Sequence, residues 1–468
     1  MKESIIRILT LVLGMLLATT GYAQPSSPTI TQLFGFACDS TGKICADGAQ
    51  PNSLIQSADG NFYGTTDIHG SGNQAAGTVF EINSSGQLTT LYTFVADQNG
   101  NYPNGNAPTS LVEGNDGFLY GTAAAGGAYG NGVVFKLRRT GTLQVLHNFC
   151  SPTDCRDSTS PYGLLLGRDG NFYGLSGGVV FRITPSGSFT LLHTFDKVVE
   201  GPTALGMTQA SDGNFYGTTQ GAQTLLTTLF RLAPAGKFTT LHTFHYGQFP
   251  DSAPIQALNG KLYHGLSRFE DQSRPGFFES SLSGKDFRQF PFQSVFDESL
   301  RFVTQTSDTN LWIAGDGASN NGSLISISPN GKHVQTIEFD GTNGSLPDAP
   351  LVQGSDGRLF GVTQLGGSVQ QGDVASGVVF TMDAGLAAPK ATIVTFNPSR
   401  GKAGSRVMIH GIHFVGATAV TFNGVSAKFQ VPNTGNILVT VPQGATTGPI
   451  AVTNAGGTTT SKKNFTIQ

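Results

Sequence analysis

One short motif recurs along the chain at nearly even intervals, and this repetition constrains the fold more than any other feature. The copies read DGNFYG from Asp59, DGFLYG from Asp116, DGNFYG from Asp169 and again from Asp212, NGKLYHG from Asn259, DTNLWIAG from Asp308 and DGRLFG from Asp356. They follow one another at intervals of 43 to 57 residues. Seven copies at such a period indicate an array of supersecondary units that bury their apolar faces against their neighbours.

Each copy reads as four short strands. In the first copy these are residues 53–58, 62–66, 78–82 and 88–94, with tight turns at Asp59-Gly60 and Ser85-Gly86. Asp-Gly between two apolar runs predicts a hairpin, because the turn needs a positive φ that glycine adopts without steric cost. Four strands in a repeat of this length are typical of a β-propeller blade. The composition agrees, since 63 glycines and a charged fraction of 12% favour an all-β chain with many turns.

The two ends of the array predict how it closes. The seventh copy has no fourth strand after Met382, whereas the segment LFGF from Leu33 matches the fourth-strand segment LYTF from Leu91. We therefore expect an all-β fold in which residues 29–383 form a seven-bladed β-propeller, closed by an N-terminal strand that completes the last blade. An open stack of repeats is the alternative, and it would leave incomplete or exposed blades at both ends.

The first 23 residues predict export. Lys2 and Arg7 precede an apolar run at residues 8–18, and Gly21-Tyr22-Ala23 has the small-x-small pattern of a cleavage site. A retained membrane anchor is the alternative, but the run is shorter than the roughly 20 residues that span a bilayer. With residues 1–23 removed as a signal peptide, we expect a secreted, periplasmic or cell-surface protein that has no membrane span.

Four cysteines form two close pairs in the sequence, Cys38 with Cys45 and Cys150 with Cys155. Three connectivities are possible, and pairing within each close pair is the simplest. An exported protein can keep such bonds oxidised. A metal site is the competing interpretation, but neither pair has the two-residue spacing of a zinc knuckle and no histidine lies between its members. We predict two disulfides, with no metal and no cofactor.

The sequence changes character after a short linker at residues 384–389. Residues 390–468 contain short runs of alternating apolar residues between Gly and Pro turns, as in AVTFNGVSAKF from Ala419 and PIAVTNAGG from Pro449. This pattern predicts a small Ig-like β-sandwich.

These residues carry two family resemblances. The segments DGNFYGTT from Asp59 and VFKL from Val134 resemble the tandem repeat known as GloVer, over roughly residues 29–383. The C-terminal segment is similar to IPT/TIG domains through Pro398, Gly401, Gly404, Val407-x-Ile409-x-Gly411-x-x-Phe414, Phe422-Asn423-Gly424-Val425, Val441-Pro442 and Thr447-Gly448-Pro449-Ile450. The first resemblance implies an exported bacterial surface protein with no established catalytic residue. The second implies a spacer, or a surface for contact with protein or carbohydrate.

Loop lengths predict where a ligand would bind. The loops between the second and third strands are long and variable, at residues 67–77, 123–132 and 365–377, and so are the loops between blades. Because successive strands alternate in direction, both classes of loop emerge at one end of a propeller, which we call the long-loop face. Variable loops on a rigid scaffold are where binding sites are built.

Two groups of side chains on the long-loop face are candidate ligand contacts. The first belongs to blade five and comprises Arg268, Glu270, Asp271, Arg274, His245 and Tyr246. The second surrounds blade two and comprises Tyr102, Asn104, Tyr129 and Asn131. Each group suits a saccharide or a peptide, and the alternative for each is an ordinary solvated loop.

The sequence thus predicts a non-catalytic exported protein for binding, adhesion or scaffolding, whose partner is extracellular carbohydrate or a cell-surface protein. Nucleic acid is not expected, since the net charge is −3 and the IPT/TIG segment has few cations. An extracellular propeller enzyme acting on polysaccharide, a lyase or hydrolase, is the alternative, by analogy of fold alone. We interpret the repeated Asp as a turn former and the recurring His147, His193 and His242 as packing residues of the fourth strand.

Overall fold

The computed structural model describes residues 28–70, 75–220, 226–244, 250, 252–266, 276–291, 300–315 and 321–468. All regular secondary structure within these ranges is β-strand, as the composition and the turn spacing predict.

Seven antiparallel sheets succeed one another in the described part of residues 30–382, and we number them as blades one to seven. Strand β1 (Ile30–Cys38) comes first in the chain but belongs to blade seven. Blade one contains β2 (Ala49–Gln56), β3 (Phe62–Ile68), β4 (Ala75–Ile82) and β5 (Leu88–Val95). Blade two contains β6 (Asn106–Glu113), β7 (Leu119–Ala125), β8 (Val133–Leu137) and β9 (Leu143–Asn148). Blade three contains β10 (Pro161–Leu166), β11 (Phe172–Ser176), β12 (Val179–Ile183) and β13 (Phe189–Thr194).

The remaining blades repeat this order. Blade four contains β14 (Thr203–Gln209), β15 (Phe215–Gln220), β16 (Thr227–Leu232) and β17 (Phe238–Phe244). Blade five contains β18 (Ile255–Gln256), β19 (Leu262–Leu266), β20 (Gly276–Ser280) and β21 (Arg288–Pro291). Blade six contains β22 (Leu300–Gln305), β23 (Leu311–Gly315), β24 (Ser323–Ile327) and β25 (His333–Glu338). Blade seven contains β26 (Ser345–Pro347), β27 (Val352–Gln353), β28 (Leu359–Leu365) and β29 (Val374–Met382), with β1 at its edge.

The recurring motif is a hydrogen-bonded unit. In blade one, Asp59 Oδ1 accepts the backbone N–H of Asn61 at 2.9 Å, and Oδ2 accepts the hydroxyl of Tyr63 at 2.7 Å. Gly60 supplies the positive φ of the turn, 89°. The same bond from tyrosine to aspartate recurs in blades two, three and four at 2.8 Å. The carboxylate therefore fixes both the turn and the strand that follows it.

The apolar core is divided among the contacts between neighbouring blades. Each adjacent pair of blades encloses its own cluster of buried side chains. One cluster joins blade seven to blade one, where the rings of Phe62 and Phe360 lie 4.1 Å apart. Burying a phenylalanine side chain contributes about 1.5–3 kcal/mol, so every blade is stabilised from both sides.

Strand β1 closes the ring. It pairs antiparallel with β29, from Ile30 opposite Met382 to Cys38 opposite Val374. The last sheet of the propeller is thus built from both ends of the repeat array, as the match between LFGF and LYTF predicts.

Glutamines in blades four to seven each tie the turn of their own blade to the turn of the preceding blade. Gln256 Nε2 donates to the carbonyl of Gly260 in its own turn at 2.9 Å, while Oε1 accepts the N–H of Ser211 in the preceding turn at 2.7 Å. Gln209, Gln305 and Gln353 bond in the same way. These bonds hold the turns around one end of the central channel, which we call the turn mouth.

The C-terminal residues form a two-sheet sandwich. One sheet contains β30 (Thr392–Asn397), β32 (Arg406–Ile412), β36 (Asn436–Thr440) and β35 (Phe429–Asn433). The other contains β31 (Arg400–Gly401), β38 (Gly457–Ile467), β37 (Gly448–Asn454), β33 (Ala419–Phe422) and β34 (Val425–Ser426). Alternating residues of both sheets, among them Ile409, Ile437 and Val452, are fully buried between them.

The sandwich lies over the turn mouth. The side-chain amides of Asn433 and Asn436 both donate to Asn115 Oδ1, at 2.8 and 2.9 Å. In blade six the hydroxyl of Ser307 donates to the carbonyl of Ala387 at 2.7 Å. The sandwich and the long-loop face are therefore at opposite ends of the channel.

Candidate functional site

Six of the predicted ligand residues lie outside the described part of the chain. They form the blade-five set: Arg268, Glu270, Asp271, Arg274, His245 and Tyr246. Their role as ligand contacts stays a prediction.

The blade-two set occupies two touching loops on the long-loop face. Tyr102 and Asn104 precede β6, and Tyr129 and Asn131 lie between β7 and β8. A backbone hydrogen bond of 2.8 Å from the N–H of Gly127 to the carbonyl of Tyr102 joins the two loops.

The two asparagines of this set hold the loops in place. Asn104 Nδ2 donates to the hydroxyl of Tyr92 at 2.8 Å. Asn131 Nδ2 donates to the carbonyls of Tyr129 and Cys150, at 3.1 and 3.2 Å. Because both amides bond within the protein, Tyr129 is the member best placed to contact a ligand, and 45% of it is exposed.

Tyr129 lines a groove of about 630 Å³ beside the Cys150–Cys155 disulfide, at the outer edge of the long-loop face between blades two and three. We call it the disulfide groove. Its other lining residues include His147, Asn148, Asp154, Arg156, Asp157 and Leu191. The groove therefore unites an exposed aromatic ring with charged side chains from the disulfide loop.

Ring stacking and hydrogen bonds hold the floor of the disulfide groove together. The ring of His147 stacks on Phe189 of blade three, with centroids 3.9 Å apart and planes 8° from parallel. Its Nε2 lies 2.7 Å from Asp157 Oδ2, and Asp157 Oδ1 accepts the N–H of Cys150 at 2.9 Å. The histidine thus packs two blades together and also anchors the disulfide loop.

Blade three repeats this arrangement at its own fourth strand. His193 stacks on Phe238 with planes 3° from parallel, and its Nε2 lies 2.8 Å from Glu200 Oε2. The recurrence supports a packing role for these histidines, to which the structure adds a carboxylate partner that the sequence spacing does not indicate.

An ion pair between Arg156 and Asp154 lies at the rim of the groove. Arg156 Nε and Nη2 donate to the two oxygens of Asp154 at 2.9 and 2.7 Å. The hydrogen bond from Arg156 lowers the pKa of the Asp154 carboxyl to about 2, and the backbone N–H of Arg156 acts in the same direction. This carboxylate is therefore ionised at any ordinary pH, and it holds the guanidinium plane in a fixed orientation.

The sequence prediction identified Tyr129 and Asn131 but not the charged side chains of the disulfide groove, Asp154, Arg156 and Asp157. A signal was present, because residues 150–157 read CSPTDCRD and carry three charges in a chain that is 12% charged. Their approach to Tyr129 follows from the pairing of β8 with β9, which brings together loops about 25 residues apart.

Both predicted disulfides are confirmed. Cys38 bonds to Cys45 and Cys150 bonds to Cys155. In the described ranges, no group of three or more His, Cys, Asp and Glu side chains is arranged to hold a metal ion. The same ranges include no helix with the length and apolar character of a membrane span.

The tandem repeats assign the chain to a known family. A family model described as the Gloeobacter/Verrucomicrobia repeat matches residues 22–177 and 104–277, which together exceed half of the chain. The chain belongs to the Gloeobacter/Verrucomicrobia repeat family. In this Gloeobacter/Verrucomicrobia repeat protein, residues 391–467 also match the IPT/TIG domain model, so both resemblances predicted from the sequence are confirmed. No curated protein matches the chain.

Solved structures with a similar fold have low sequence identity. The extracellular domain of BT4673 from B. thetaiotaomicron, described as a hybrid two component system, matches 95% of this chain and 59% of its own at 12% identity and a TM-score of 0.51. The corresponding domain of BT3049 matches 90% and 53% at 14% identity and a TM-score of 0.49. A fungal alcohol oxidase with copper matches 90% and 98% at 11% identity and a TM-score of 0.49. The chain spans less than two thirds of the two bacterial domains, and the likeness concerns fold alone.

Proposed function

We propose that this repeat protein is an exported, non-catalytic binding protein that holds a neutral saccharide in the disulfide groove. The observation that carries the proposal is the exposed ring of Tyr129 on the wall of a groove of about 630 Å³. Grooves of this size on a rigid scaffold are typical of small-ligand sites. BT4673, which shares the fold, is described as an extracellular domain, and this supports a role outside the cell.

The chemistry of the disulfide groove suits a sugar. One face of a pyranose ring presents C–H groups that pack on an aromatic ring, and its hydroxyls both donate and accept hydrogen bonds. Tyr129 offers the ring, and Leu191, which is 38% exposed, extends the apolar surface. Asp154 offers acceptors and Arg156 offers donors, held in one plane by their mutual bonds.

The charges of the groove favour an uncharged ligand. Arg156 is paired with Asp154, and His147 bonds to Asp157. Because these groups already have partners, an additional charge on the ligand would gain little here.

The proposal also assigns a role to each segment of the chain. A cleaved signal peptide at residues 1–23 delivers the chain to an oxidising compartment, where the two disulfides persist. Residues 29–383 act as the propeller and residues 384–389 as the linker. The IPT/TIG domain at residues 390–468 serves as spacer or contact module at the opposite end, so that the long-loop face stays free for adhesion to carbohydrate.

The test is a glycan array with the mature chain, followed by calorimetric titration of the best neutral glycan. Tyr129→Ala should weaken binding at least 10-fold because it removes the stacking surface, whereas Tyr129→Phe should stay within about 3-fold. Val198→Ala is the matched control, since Val198 is 71% exposed on the same face but does not line the groove.

Two results would contradict the proposal. One is the absence of binding to any glycan or cell-wall fraction. The other is binding that survives Tyr129→Ala but is lost in the Arg268→Ala/Arg274→Ala double variant, which would assign the ligand to blade five.

A further inference from the structure

A second cavity, of about 620 Å³, lies between the turn mouth and the C-terminal sandwich. The ends of the innermost strands of blades one to five form its floor, and β30, β32 and the loop between β35 and β36 form its roof. It is open to solvent, since its lining residues Leu258 and Ile412 are 52% and 42% exposed. Interfaces between domains are preferred positions for small-molecule sites.

In blades two, three and six, the residue immediately before the turn Asp lies on the side of the sandwich. In blade two this residue is Asn115, which bonds to the sandwich, and in blade six it is Ser307, which bonds to the linker. In blade three it is Arg168, which lines the cavity. At the turn mouth, blade three therefore places a cation in the lining of the cavity.

The guanidinium of Arg168 has no carboxylate partner among the described residues. The backbone N–H of Arg168 donates to Gln209 Oε1 at 3.0 Å, which fixes the turn, and Nη1 reaches only the carbonyl of Ser211 at 3.3 Å. Burial lowers the pKa of Arg168, and the nearby Asp212 offsets this only in part. Asp212 itself accepts the hydroxyl of Tyr216 at 2.8 Å. A half-buried guanidinium with no carboxylate hydrogen-bonded to it among the described residues favours an anion that it can bind with two parallel hydrogen bonds.

The other charges around the cavity leave it positive. Glu113 lies at the floor, but its carboxylate accepts the hydroxyl of Ser57 at 2.8 Å and the N–H of Ala58 at 3.1 Å, and it forms an ion pair with Arg139. Lys462 adds an exposed cation at the rim.

The roof supplies a neutral acceptor and an apolar surface. His410 is buried, and its Nδ1 lies 2.6 Å from Asn436 Oδ1, so Nδ1 carries the proton and donates. Its Nε2 has no hydrogen-bond partner in the described ranges and can accept a hydroxyl. Val394 and Ile412 add exposed apolar side chains to the same wall.

We propose that this cavity is a second ligand site, for a small hydroxylated carboxylic acid such as a hexuronate. Arg168 binds the carboxylate in a bidentate manner and Lys462 attracts it to the opening. His410 Nε2 accepts a hydroxyl of the ligand, and Val394 and Ile412 cover its C–H face. The site differs from the disulfide groove in position and in charge, so the two sites select different sugars.

The test is calorimetric titration of the full mature chain with three probes: glucuronate, glucose and lactate. Glucose has the same ring without the carboxylate, and lactate has a hydroxyl and a carboxylate without the ring. Glucuronate should bind at least 10-fold more tightly than glucose. Arg168→Gln should weaken glucuronate binding at least 10-fold, while Arg168→Lys should keep part of it, because lysine retains the charge but not the paired donors.

The matched control is Arg156→Gln, which removes an arginine from the disulfide groove and should leave glucuronate binding unchanged. Conversely, Arg168→Gln should leave neutral-glycan binding at the disulfide groove unchanged, so failure of either site is distinguishable from failure of the other. Binding of lactate but not glucuronate would retain the site and restrict it to smaller hydroxy acids. If neither acid binds, or if Arg168→Gln, with an unchanged melting temperature, binds glucuronate like the wild type, the proposal is overturned.

Discussion

Tyr173 donates its phenolic hydroxyl to the carboxylate of Asp169 at 2.8 Å, across the turn that opens the hairpin of blade three. The tyrosine ring is fully buried against blade four, whereas the aspartate lies at the surface. The tyrosine thus belongs to the core and the aspartate to the turn, and the hydrogen bond between them couples the turn to the core.

We expect Tyr173→Phe to lower the free energy of unfolding by about 1–2 kcal/mol, because a hydrogen bond to a charged acceptor is lost while the buried ring is kept. Urea unfolding followed by tyrosine and tryptophan fluorescence would measure the change. Tyr102→Phe is the control, since that half-buried tyrosine lies outside the motif, and it should change stability by less than about 0.5 kcal/mol. Equal effects of the two substitutions would refute a special role for the Tyr173–Asp169 bond.

A second prediction concerns Arg139, which neutralises the buried Glu113. We expect Arg139→Met to cost about 2–3 kcal/mol at pH 7, because the carboxylate would stay buried without its counter-charge. Burial already raises the pKa of Glu113. Protonation would remove the unpaired charge, so the cost should shrink as the pH falls.

The double variant Glu113→Gln/Arg139→Met should recover most of that loss. Glutamine stands at this position in five blades, as Gln56, Gln209, Gln256, Gln305 and Gln353. The exposed neighbour Arg138, changed to Met, is the control and should be nearly neutral. A double variant no more stable than Arg139→Met would show that the arginine acts mainly through its other contacts, which include the ion pair with Asp59, and not by neutralising Glu113.

The stability of the protein should fall in mild acid because of His264. This histidine is fully buried, and burial lowers its pKa to about 4, whereas an unfolded histidine titrates near about 6.5. Between these values the unfolded chain binds more protons than the folded one, so stability decreases as the pH falls. From pH 7 to 4.5 the contribution of His264 amounts to about 2–3 kcal/mol.

Denaturant unfolding at the two pH values would measure this contribution. His264→Gln should be less stable than the wild type at pH 7 but should lose less between pH 7 and 4.5. The exposed His333, changed to Gln, should leave the pH dependence as it is. An unchanged slope in His264→Gln would mean that another group causes the acid sensitivity.

The two disulfides should differ in their effect on glycan binding, although both should stabilise the fold. Replacing Cys150 and Cys155 with Ala should cost about 2 kcal/mol, since a short loop is released in the unfolded chain, and it should also weaken glycan binding at the disulfide groove. Replacing Cys38 and Cys45 with Ala should have a similar thermal effect but leave binding intact. Binding that is equally sensitive to both replacements would contradict the placement of the site.

The sequence predicted most of the fold and little of the site. Asp-Gly spacing located the turns, and the segment LFGF predicted the pairing of β1 with β29, because strand alternation and turn chemistry are local properties. The position of the sandwich over the turn mouth rests on Asn115, Asn433 and Asn436, which are common surface residues with no sequence signature. The sequence did not indicate Arg168 for a related reason. The residue before the turn Asp or Asn varies from blade to blade, so a single arginine at that position has no sequence signature.

Strand β1 is the first strand of the propeller to be made and its partner β29 is the last, with more than 330 residues between them. A chain emerging from a ribosome or a translocation pore therefore exposes a strand edge until almost the whole propeller has followed. Truncation anywhere before Val374 leaves that edge without its partner. Ring closure therefore requires that the whole propeller has been made, because the edge of β1 is paired only once β29 is present.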